Sequence, residues 1–332
     1  MQQRHLGQSG LMTSPIGIGA MSFSDFYGPT DESASHAILD AALELGVTHI
    51  DTANVYGMGR SETVIGTFLK ANPGARDQFQ IATKAAITRD PDGTRYFDNS
   101  AAHLEAELDK SLTRMGIDCV DLFYAHRHDA KLPIEEATEN LARLVKAGKV
   151  RSIGFSEIAP SNLRRAAAVH PIAAVQSEYS LATRSPELGL VQACAELGTA
   201  LVAFSPVGRS LLTDYPIPTS DIPNIAFLAS NPRFMEPNLS ANLRITDGFR
   251  TLAADMGTPT AALAIAWVLQ RGNHVIAIPG TRSVNHLREL VAGIELNLTE
   301  GDLLRIERAL PVGWAHGDRY SMGQWSGPER YC

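Results

Sequence analysis

Short apolar segments alternate with longer amphipathic segments along most of the chain. Eight of the short segments are continuous and apolar, which is typical of strands buried on both faces. They cover residues 16–21, 47–51, 79–84, 119–125, 150–155, 173–177, 200–204 and 275–278. Apolar residues at helical spacing follow the strands, in segments 31–45, 60–70, 100–115, 134–147, 160–169, 186–197, 259–271 and 284–294.

This repeat of strand and helix predicts the architecture. Eight βα units in ~300 residues are typical of a parallel (β/α)8 barrel of the α/β class. No change of composition marks a second domain, so we expect residues 1–332 to form one barrel domain. A β-hairpin is predicted at 4–15. The proline-containing segment 207–245, after the seventh strand, is predicted to be a long loop and is a candidate lid.

The composition narrows the class of protein. A formal net charge of −7 without a basic run argues against a nucleic-acid surface. Three scattered cysteines, Cys119, Cys194 and Cys332, lack metal or disulfide spacing and indicate a reducing compartment. No apolar h-region follows Met1, and no run reaches the ~18 apolar residues of a membrane span. We expect a cytoplasmic protein without a membrane partner, monomeric by default.

Polar residues stand where nearly every predicted strand ends. In a (β/α)8 barrel the carboxyl ends of the strands meet at the face that carries the active site. These residues are Asp51, Thr83, Lys84, Tyr124, His126, Arg127, His128, Asp129, Ser156, Glu157, Gln176, Ser177, Glu178, Tyr179, Ser205, Thr281 and Arg282. We therefore expect one rim of the barrel to carry a functional site.

Four residues near this rim supply complementary groups for proton transfer: Asp51, Tyr56, Lys84 and His126. A tyrosine has an ordinary pKa of about 10, and a nearby ammonium lowers that pKa by favouring the phenolate. A carboxylate such as Asp51 would hold the lysine in place. His126 would donate a hydrogen bond that polarises a carbonyl oxygen. The set predicts a proton-donor assembly for carbonyl reduction, which also needs a source of hydride.

Seven motifs, in order, resemble the aldo-keto reductase superfamily along nearly the whole chain. They read HIDTANVYGMGRSE (49–62), IATK (81–84), DLFYAHRHD (121–129), VRSIGFSE (150–157), AAVQSEYSL (173–181), FSPVGRSLLT (204–213) and IPGTR (278–282). The resemblance implies a barrel that binds NADPH in extended form and passes hydride to a small aldehyde or ketone. It also implies that Asp51, Tyr56, Lys84 and His126 form the catalytic tetrad, with Tyr56 as proton donor.

The resemblance also implies the cofactor contacts. Ser156 and Gln176 match residues that hydrogen-bond the nicotinamide carboxamide, and Phe204 matches the aromatic residue that stacks on the nicotinamide. Further matching positions are Gly19, Met21, Asp51, Ser205, Pro206, Val207, Gly208, Ser210, Gly280, Thr281, Arg282 and Glu289. Residues 280–282 match the site of the 2′-phosphate, where an arginine suits a dianion, and this favours NADPH over NADH.

Three positions depart from the family pattern. Glu157 stands where many members carry Asn, Leu290 where Asn often holds the adenine, and Ala125 where Gln is more usual. Segment 316–332 diverges in the part that reads the substrate, so the resemblance does not name the substrate. Candidate substrate contacts are Phe23, Tyr27, Arg127, Trp314 and Tyr320. The aromatic residues among them fit the packing of loops on the barrel equally well.

Other interpretations stay open. Lys84 is also the residue type that forms a Schiff base in a barrel lyase or aldolase. An NADPH-binding regulatory subunit with low turnover would share the cofactor contacts. His126 and His128 have the spacing of a metal pair, but only Asp51 offers a further ligand, so we expect no metal site.

Overall fold

The predicted strands form one parallel barrel. The computed structural model describes residues 1–330. In chain order its strands are β1 (Arg4–His5), β2 (Met12–Thr13), β3 (Gly17–Gly19), β4 (His49–Asp51), β5 (Gln80–Ala85), β6 (Ile87–Arg89), β7 (Arg95–Phe97), β8 (Leu122–Ala125), β9 (Ile153–Ser156), β10 (Ala174–Glu178), β11 (Ala200–Phe204) and β12 (Val275–Ile278). Eight of them pair in parallel, in the order β12-β11-β10-β9-β8-β5-β4-β3. A parallel bridge between Ile16 and Ala277 closes the circle, which confirms the predicted (β/α)8 barrel.

Helices surround this barrel. They are α1 (Glu32–Glu44), α2 (Arg60–Ala71), α3 (Ala75–Gln78), α4 (Ala101–Met115), α5 (Ile134–Lys146), α6 (Pro160–Val169), α7 (Leu190–Leu197), α8 (Ala226–Ala229), α9 (Asn238–Asp255), α10 (Thr260–Leu269), α11 (Val284–Ala292) and α12 (Glu300–Ala309). Local capping explains where several begin: the side chain of Asp31 accepts a hydrogen bond from Ala34 N, and that of Ser100 accepts one from His103 N.

The core has two layers. The larger lies between the strands and the helices, and the smaller fills the barrel interior with residues such as Leu122, Tyr124 and Val202. Leu6, from the β1–β2 hairpin, belongs to the inner layer and is fully buried. Gly7 approaches the backbone before β10 so closely that a Cβ there would lie 2.2 Å from the Ala173 oxygen. The hairpin predicted at 4–15 thus closes the amino-terminal end of the barrel.

Some predicted elements differ from the structure. Segment 207–245 is not one long loop, because α8 lies within it and α9 begins at Asn238. The buried face of α9 includes the polar residues Asn242 and Thr246, so its apolar periodicity is weak. α12 and the β6–β7 hairpin were not predicted. Strand β3 ends at Gly19, and Met21 lies in a 3-10 turn instead of the predicted strand.

No single helix in the described part of the chain is long and apolar enough to cross a membrane. Helices α9 and α10 reach that length and composition only together, and the chain bends by 90° between them. Cys119 and Cys194 are free thiols, and Cys332 lies outside the described residues.

Candidate active site

A cleft opens at the carboxyl ends of the barrel strands. Its volume is about 1880 Å³, whereas pockets for drug-sized ligands usually measure roughly 300–1,000 Å³. The predicted site residues that line it are Gly19, Met21, Tyr27, Asp51, Tyr56, His126, Arg127, Ser156, Gln176, Phe204, Ser205, Pro206, Val207, Ser210, Gly280, Thr281, Arg282, Glu289 and Tyr320. The cleft is large enough for a dinucleotide and a small second molecule together.

A buried ion pair lies beneath this cleft. Asp51 is the last residue of β4, and Lys84 lies on the neighbouring strand β5. The Lys84 ammonium donates to Asp51 Oδ1 and to the Thr52 carbonyl, the latter at 2.7 Å. Gln176 Nε2 donates to the other carboxylate oxygen of Asp51 at 2.7 Å. Because Asp51 and Lys84 are both almost completely buried, each needs the other as its counter-charge.

Tyr56 is delivered to this pair by the loop after β4. The Lys84 Nζ lies 3.5 Å from Tyr56 Oη. The loop turns sharply at Gly57, Met58 and Gly59, which have φ values of 60°, 54° and 93°. A Cβ on Gly57 would lie 2.9 Å from the Ser24 Cβ, so the turn requires glycine there. This loop geometry sets the position of the phenol.

Burial controls the protonation of Tyr56 and Lys84. Removal from water raises the pKa of Tyr56 above its ordinary value of 10.0, and the charge of Asp51 raises it further. Burial also lowers the pKa of Lys84, although the Asp51 carboxylate opposes that change. This direction is opposite to the lowering expected from Lys84, because desolvation and the charge of Asp51 dominate the Tyr56 pKa and Arg127 is the charge that opposes them. Tyr56 keeps its proton at neutral pH.

His126 faces Tyr56 from the end of β8. The two rings pack edge to face with their centroids 5.8 Å apart. Burial holds the pKa of His126 well below its ordinary value of 6.5, and the charges of Arg127 and Lys84 lower it further. The imidazole is therefore neutral at physiological pH. Its Nδ1 is buried without a hydrogen-bond partner among residues 1–330.

The opposite part of the cleft is formed by backbone at the ends of β3 and β12 and carries the Arg282 guanidinium. A Cβ on Gly280 would lie 2.8 Å from the Gly19 oxygen, so the ends of β3 and β12 touch directly. Arg282 Nη1 donates to the Pro29 carbonyl at 3.0 Å. Within the described range no carboxylate lies within 4.0 Å of the Arg282 guanidinium. The Asp25 carboxylate interacts with Arg282 only from a greater distance, and it pairs directly with Arg60.

Four predicted site residues do not line the cleft. Phe23 and Trp314 belong to the hydrophobic core, and the Trp314 indole donates to the Leu181 carbonyl at 2.8 Å. Packing in the core, the alternative that the sequence left open, explains the burial of both residues, and their role as substrate contacts gains no support. Lys84 lies behind Asp51 and Tyr56, fully buried. Gly208 forms the turn of the β11 loop, with φ of 58°.

Several cleft residues were missed by the sequence analysis. Arg95 is one, because it lies on the unpredicted β6–β7 hairpin, whose three-residue strands are too short and too polar to show alternation. Phe227 is another: its ring packs 5.2 Å from Phe26 and 6.4 Å from Tyr320. It comes from segment 207–245, which was expected to be an irregular loop. Only the fold brings these residues to the rim.

A buried cluster of five charges lies beside the cleft. Glu178, at the end of β10, pairs with Arg209 at 2.6 Å, and Arg233 lies 3.6 Å from the same carboxylate. Glu157 pairs with Arg319 of the carboxyl-terminal segment at 2.7 Å. Glu157 departs from the family pattern, and its ion-pair partner Arg319 lies in segment 316–332, which also diverges from the family. These pairs fasten that segment to the barrel.

The second histidine of the predicted pair has another environment. His128 Nε2 donates to the Leu132 carbonyl at 2.8 Å, and Nδ1 lies 3.0 Å from Glu329. Across residues 1–330, no group of three or more His, Cys, Asp or Glu side chains has the arrangement of a metal site. His128 therefore contacts Leu132 and Glu329, whereas His126 faces Tyr56.

Comparison with known proteins gives consistent matches. The family model described as "Aldo/keto reductase family" matches residues 15–311. A probable aldo-keto reductase 1 of Glycine max is 37% identical over 97% of this chain and 93% of its own length. The aldo-keto reductase yakc [NADP(+)] of Schizosaccharomyces pombe is 36% identical over 94% of this chain and 92% of its own.

Solved structures of similar proteins also match over nearly the whole chain. The glycerol dehydrogenase AKR11B4 from Gluconobacter oxydans has a TM-score of 0.80 and 27% identity, over 93% of this chain and 94% of that one. The aldo-keto reductase AKR11C1 from Bacillus halodurans, in its holo form, has a TM-score of 0.77 and 27% identity, over 98% of this chain and 99% of that one.

Proposed function

This chain belongs to the aldo/keto reductase family, and from that premise we propose that it reduces an aldehyde or ketone to an alcohol with NADPH. The observation that carries the proposal is the buried contact of Tyr56 with the Asp51–Lys84 pair, at the floor of a cleft that His126 also faces. NADPH supplies the hydride when bound. The yakc relative is itself named for NADP(+).

The residues along the cleft fit this cofactor. Ser156, Gln176 and Phe204 line the cleft, where they would contact the nicotinamide end of the cofactor. Arg282 has no carboxylate partner among the described residues, as a site for the 2′-phosphate requires. The contact of Gly19 with Gly280 leaves no side chain to obstruct the backbone wall between these ends.

Tyr56 is the proton donor in this proposal. It holds its proton before the reaction because burial and Asp51 raise its pKa. As negative charge develops on the carbonyl oxygen, the proton moves from Tyr56 Oη to that oxygen, and His126 donates a hydrogen bond to the same oxygen. The Lys84 ammonium, 3.5 Å away, stabilises the tyrosinate that remains. Lys84 thus acts after the proton transfer, by stabilising the Tyr56 anion.

Asp51 and Gln176 are positioning residues. Asp51 and the Thr52 carbonyl hold the ammonium of Lys84 beside Tyr56, and Gln176 fixes the Asp51 carboxylate. The same contacts disfavour a Schiff-base role for Lys84, because its nitrogen is fully buried and does not line the cleft. An intact set of these contacts also disfavours a regulatory subunit with low turnover.

An assay of NADPH consumption tests the proposal. We expect oxidation of NADPH for some members of a panel of aliphatic, aromatic, sugar and pyridoxal-type aldehydes and quinones, with one alcohol, or one hydroquinone from a quinone, formed per NADPH. In Arg282→Ala the KM for NADPH should rise far more than the KM for NADH. Borohydride trapping of substrate on Lys84 without NADPH consumption would reject the reductase, and equal changes of the two KM values would reject the role of Arg282.

A further inference from the structure

Two arginines at the substrate end of the cleft lack an acidic partner among the residues that the structure describes. Arg127 follows His126, and its Nη1 donates to the His126 carbonyl at 2.6 Å and to Ser156 Oγ at 3.0 Å. Arg95 begins β7, and its Nη2 donates to the carbonyls of Gly323 and Ser326 at 3.2 and 3.1 Å. Both side chains line the cleft. Within residues 1–330, neither guanidinium has a carboxylate within 4.0 Å.

The hairpin and the carboxyl-terminal segment bring these two cations together. A Cβ on Gly327 would lie 2.6 Å from the Phe97 ring and 3.1 Å from Arg127 Cδ. The Arg95 guanidinium lies 5.7 Å from the centroid of the same Phe97 ring. The two positive charges also affect each other, since Arg127 helps to lower the pKa of Arg95, second to burial. Both arginines are partly buried, where an unbalanced positive charge is costly.

Arg127 is also close to the reacting groups. Its charge opposes the rise in the pKa of Tyr56, and it contributes to the low pKa of His126. The cleft therefore places a cation beside the proton donor and the neutral histidine. An anionic group held by Arg127 would lie on the same molecule as the carbonyl that Tyr56 protonates.

The acidic groups nearby are occupied by other cations. Asp51 pairs with Lys84, and Glu107 pairs with Lys110 at 2.7 Å. Among the buried charges beside the cleft, Glu178 pairs with Arg209 and Glu157 with Arg319. Although the whole chain has a formal net charge of −7, no carboxylate among residues 1–330 lies within 4.0 Å of the Arg127 or Arg95 guanidinium.

The present contacts of the two arginines use only part of their donors. A guanidinium carries five N–H groups, and Arg127 and Arg95 each use a single terminal nitrogen. Among the described residues, the other N–H groups of Arg127 and Arg95 have no side-chain or carbonyl acceptor, so they can donate to a ligand in the cleft. Their fork geometry suits the paired oxygens of a carboxylate or a phosphate.

Building on the proposed function, we propose that Arg127 and Arg95 form an anion site that selects carbonyl substrates bearing a carboxylate or a phosphate group. The two arginines then determine specificity, and Tyr56 and His126 act on the carbonyl. Binding energy at the anion site lowers KM for acidic substrates and leaves neutral ones unaffected.

Matched substrate pairs test this site with the full-length protein. The carboxylate pair is 4-carboxybenzaldehyde against methyl 4-formylbenzoate, and the phosphate pair is 4-formylphenyl phosphate against 4-methoxybenzaldehyde. We expect the wild type to prefer the anion in at least one pair by about tenfold or more in kcat/KM, as for a charge-assisted hydrogen bond. The pair with the larger ratio identifies the anionic group.

Variants then connect the preference to the two arginines. In Arg127→Gln and Arg95→Gln, the anion-to-neutral ratio of kcat/KM should fall about tenfold, whatever each change does to the absolute rate with the neutral aldehyde. Arg127→Lys, which keeps the charge, should restore part of the ratio. Arg143→Gln removes an exposed charge from α5 as the control and should keep the wild-type ratio. Equal preference in the wild type, or a ratio unchanged in both glutamine variants, would overturn the anion site.

A binding measurement separates this inference from the proposed function. If no probe is reduced, the reductase proposal fails, and titration with 4-(hydroxymethyl)benzoate then decides the anion site. Binding that is about tenfold tighter to the wild type than to Arg127→Gln would support the site. Equal binding to both proteins, with equal melting temperatures, would reject it.

Discussion

His49 and His126 are buried histidines, and both have a pKa below the ordinary value of 6.5, chiefly because of burial. His49 Nδ1 donates to the Gln80 carbonyl at 3.0 Å, while its Nε2 has no partner in the described chain. In the unfolded chain these imidazoles regain ordinary pKa values, so the unfolded state binds more protons below pH 6.5. Their contribution to stability is complete above pH 6.5 and is lost as the pH falls below it.

Urea unfolding between pH 7.5 and pH 5.5 measures this effect. We expect the free energy of unfolding to fall with decreasing pH, by up to about 1.4 kcal/mol per pH unit for each histidine. His49→Asn and His126→Asn should each flatten the slope, whatever they do to the absolute stability. His5→Asn, at an exposed histidine, serves as the control. If the pH dependence of the free energy of unfolding were unchanged in both buried variants, the low pKa values of His49 and His126 would be refuted.

The identities of the four central residues could be predicted from the sequence, but their protonation could not. Asp51, Lys84 and His126 follow or end short apolar strands, so the barrel topology alone brings them to one rim. The direction of the Tyr56 pKa depends on how deeply the phenol is buried and on its distance from Asp51. Neither quantity is visible in a strand pattern.

Elements with a strong local pattern were predictable, and those that depend on distant contacts were not. The barrel strands are short and continuously apolar, so their number and order follow from the sequence. Helix α9 buries polar residues such as Asn242, which donates to the carbonyls of Arg233 and His316. The β6–β7 hairpin pairs only three residues with three. Tertiary contacts therefore define these elements.

The carboxyl-terminal segment is held by buried charges, which gives a prediction for Arg319. Its guanidinium contacts Glu157 at 2.7 Å, and both side chains are almost completely buried. Arg319→Met would leave the Glu157 carboxylate without this cation. Removing one partner of a buried pair typically costs about 3–5 kcal/mol. We expect a loss of that order in the free energy of unfolding.

A double-mutant cycle distinguishes the ion pair from packing. Glu157→Gln removes the stranded charge, so the double variant should recover part of the stability lost by Arg319→Met. Arg305→Met, at an exposed arginine of α12, is the matched control and should change stability little. Strict additivity of the two buried changes would contradict the coupling.

At the scale of the molecule, the two ends of the barrel differ in role. The β1–β2 hairpin closes the amino-terminal end, with Leu6 in the inner core. The loops after β4 and β11, the β6–β7 hairpin and the carboxyl-terminal segment all contribute to the cleft at the other end. Side chains that are far apart in sequence, such as Asp51 and Gln176, meet there. One domain over residues 1–332, a monomeric state and a cytoplasmic location stay predictions.

The most direct test of the proposed function is the rate of aldehyde-dependent NADPH oxidation by Tyr56→Phe beside the wild type. The change removes only the phenolic oxygen, so we expect the Kd for NADPH to stay within about twofold. The rate constant kcat should fall by about 10²–10⁴-fold, the usual contribution of a general acid. Near-normal kcat in a folded, NADPH-binding Tyr56→Phe variant would contradict the role of Tyr56 as proton donor.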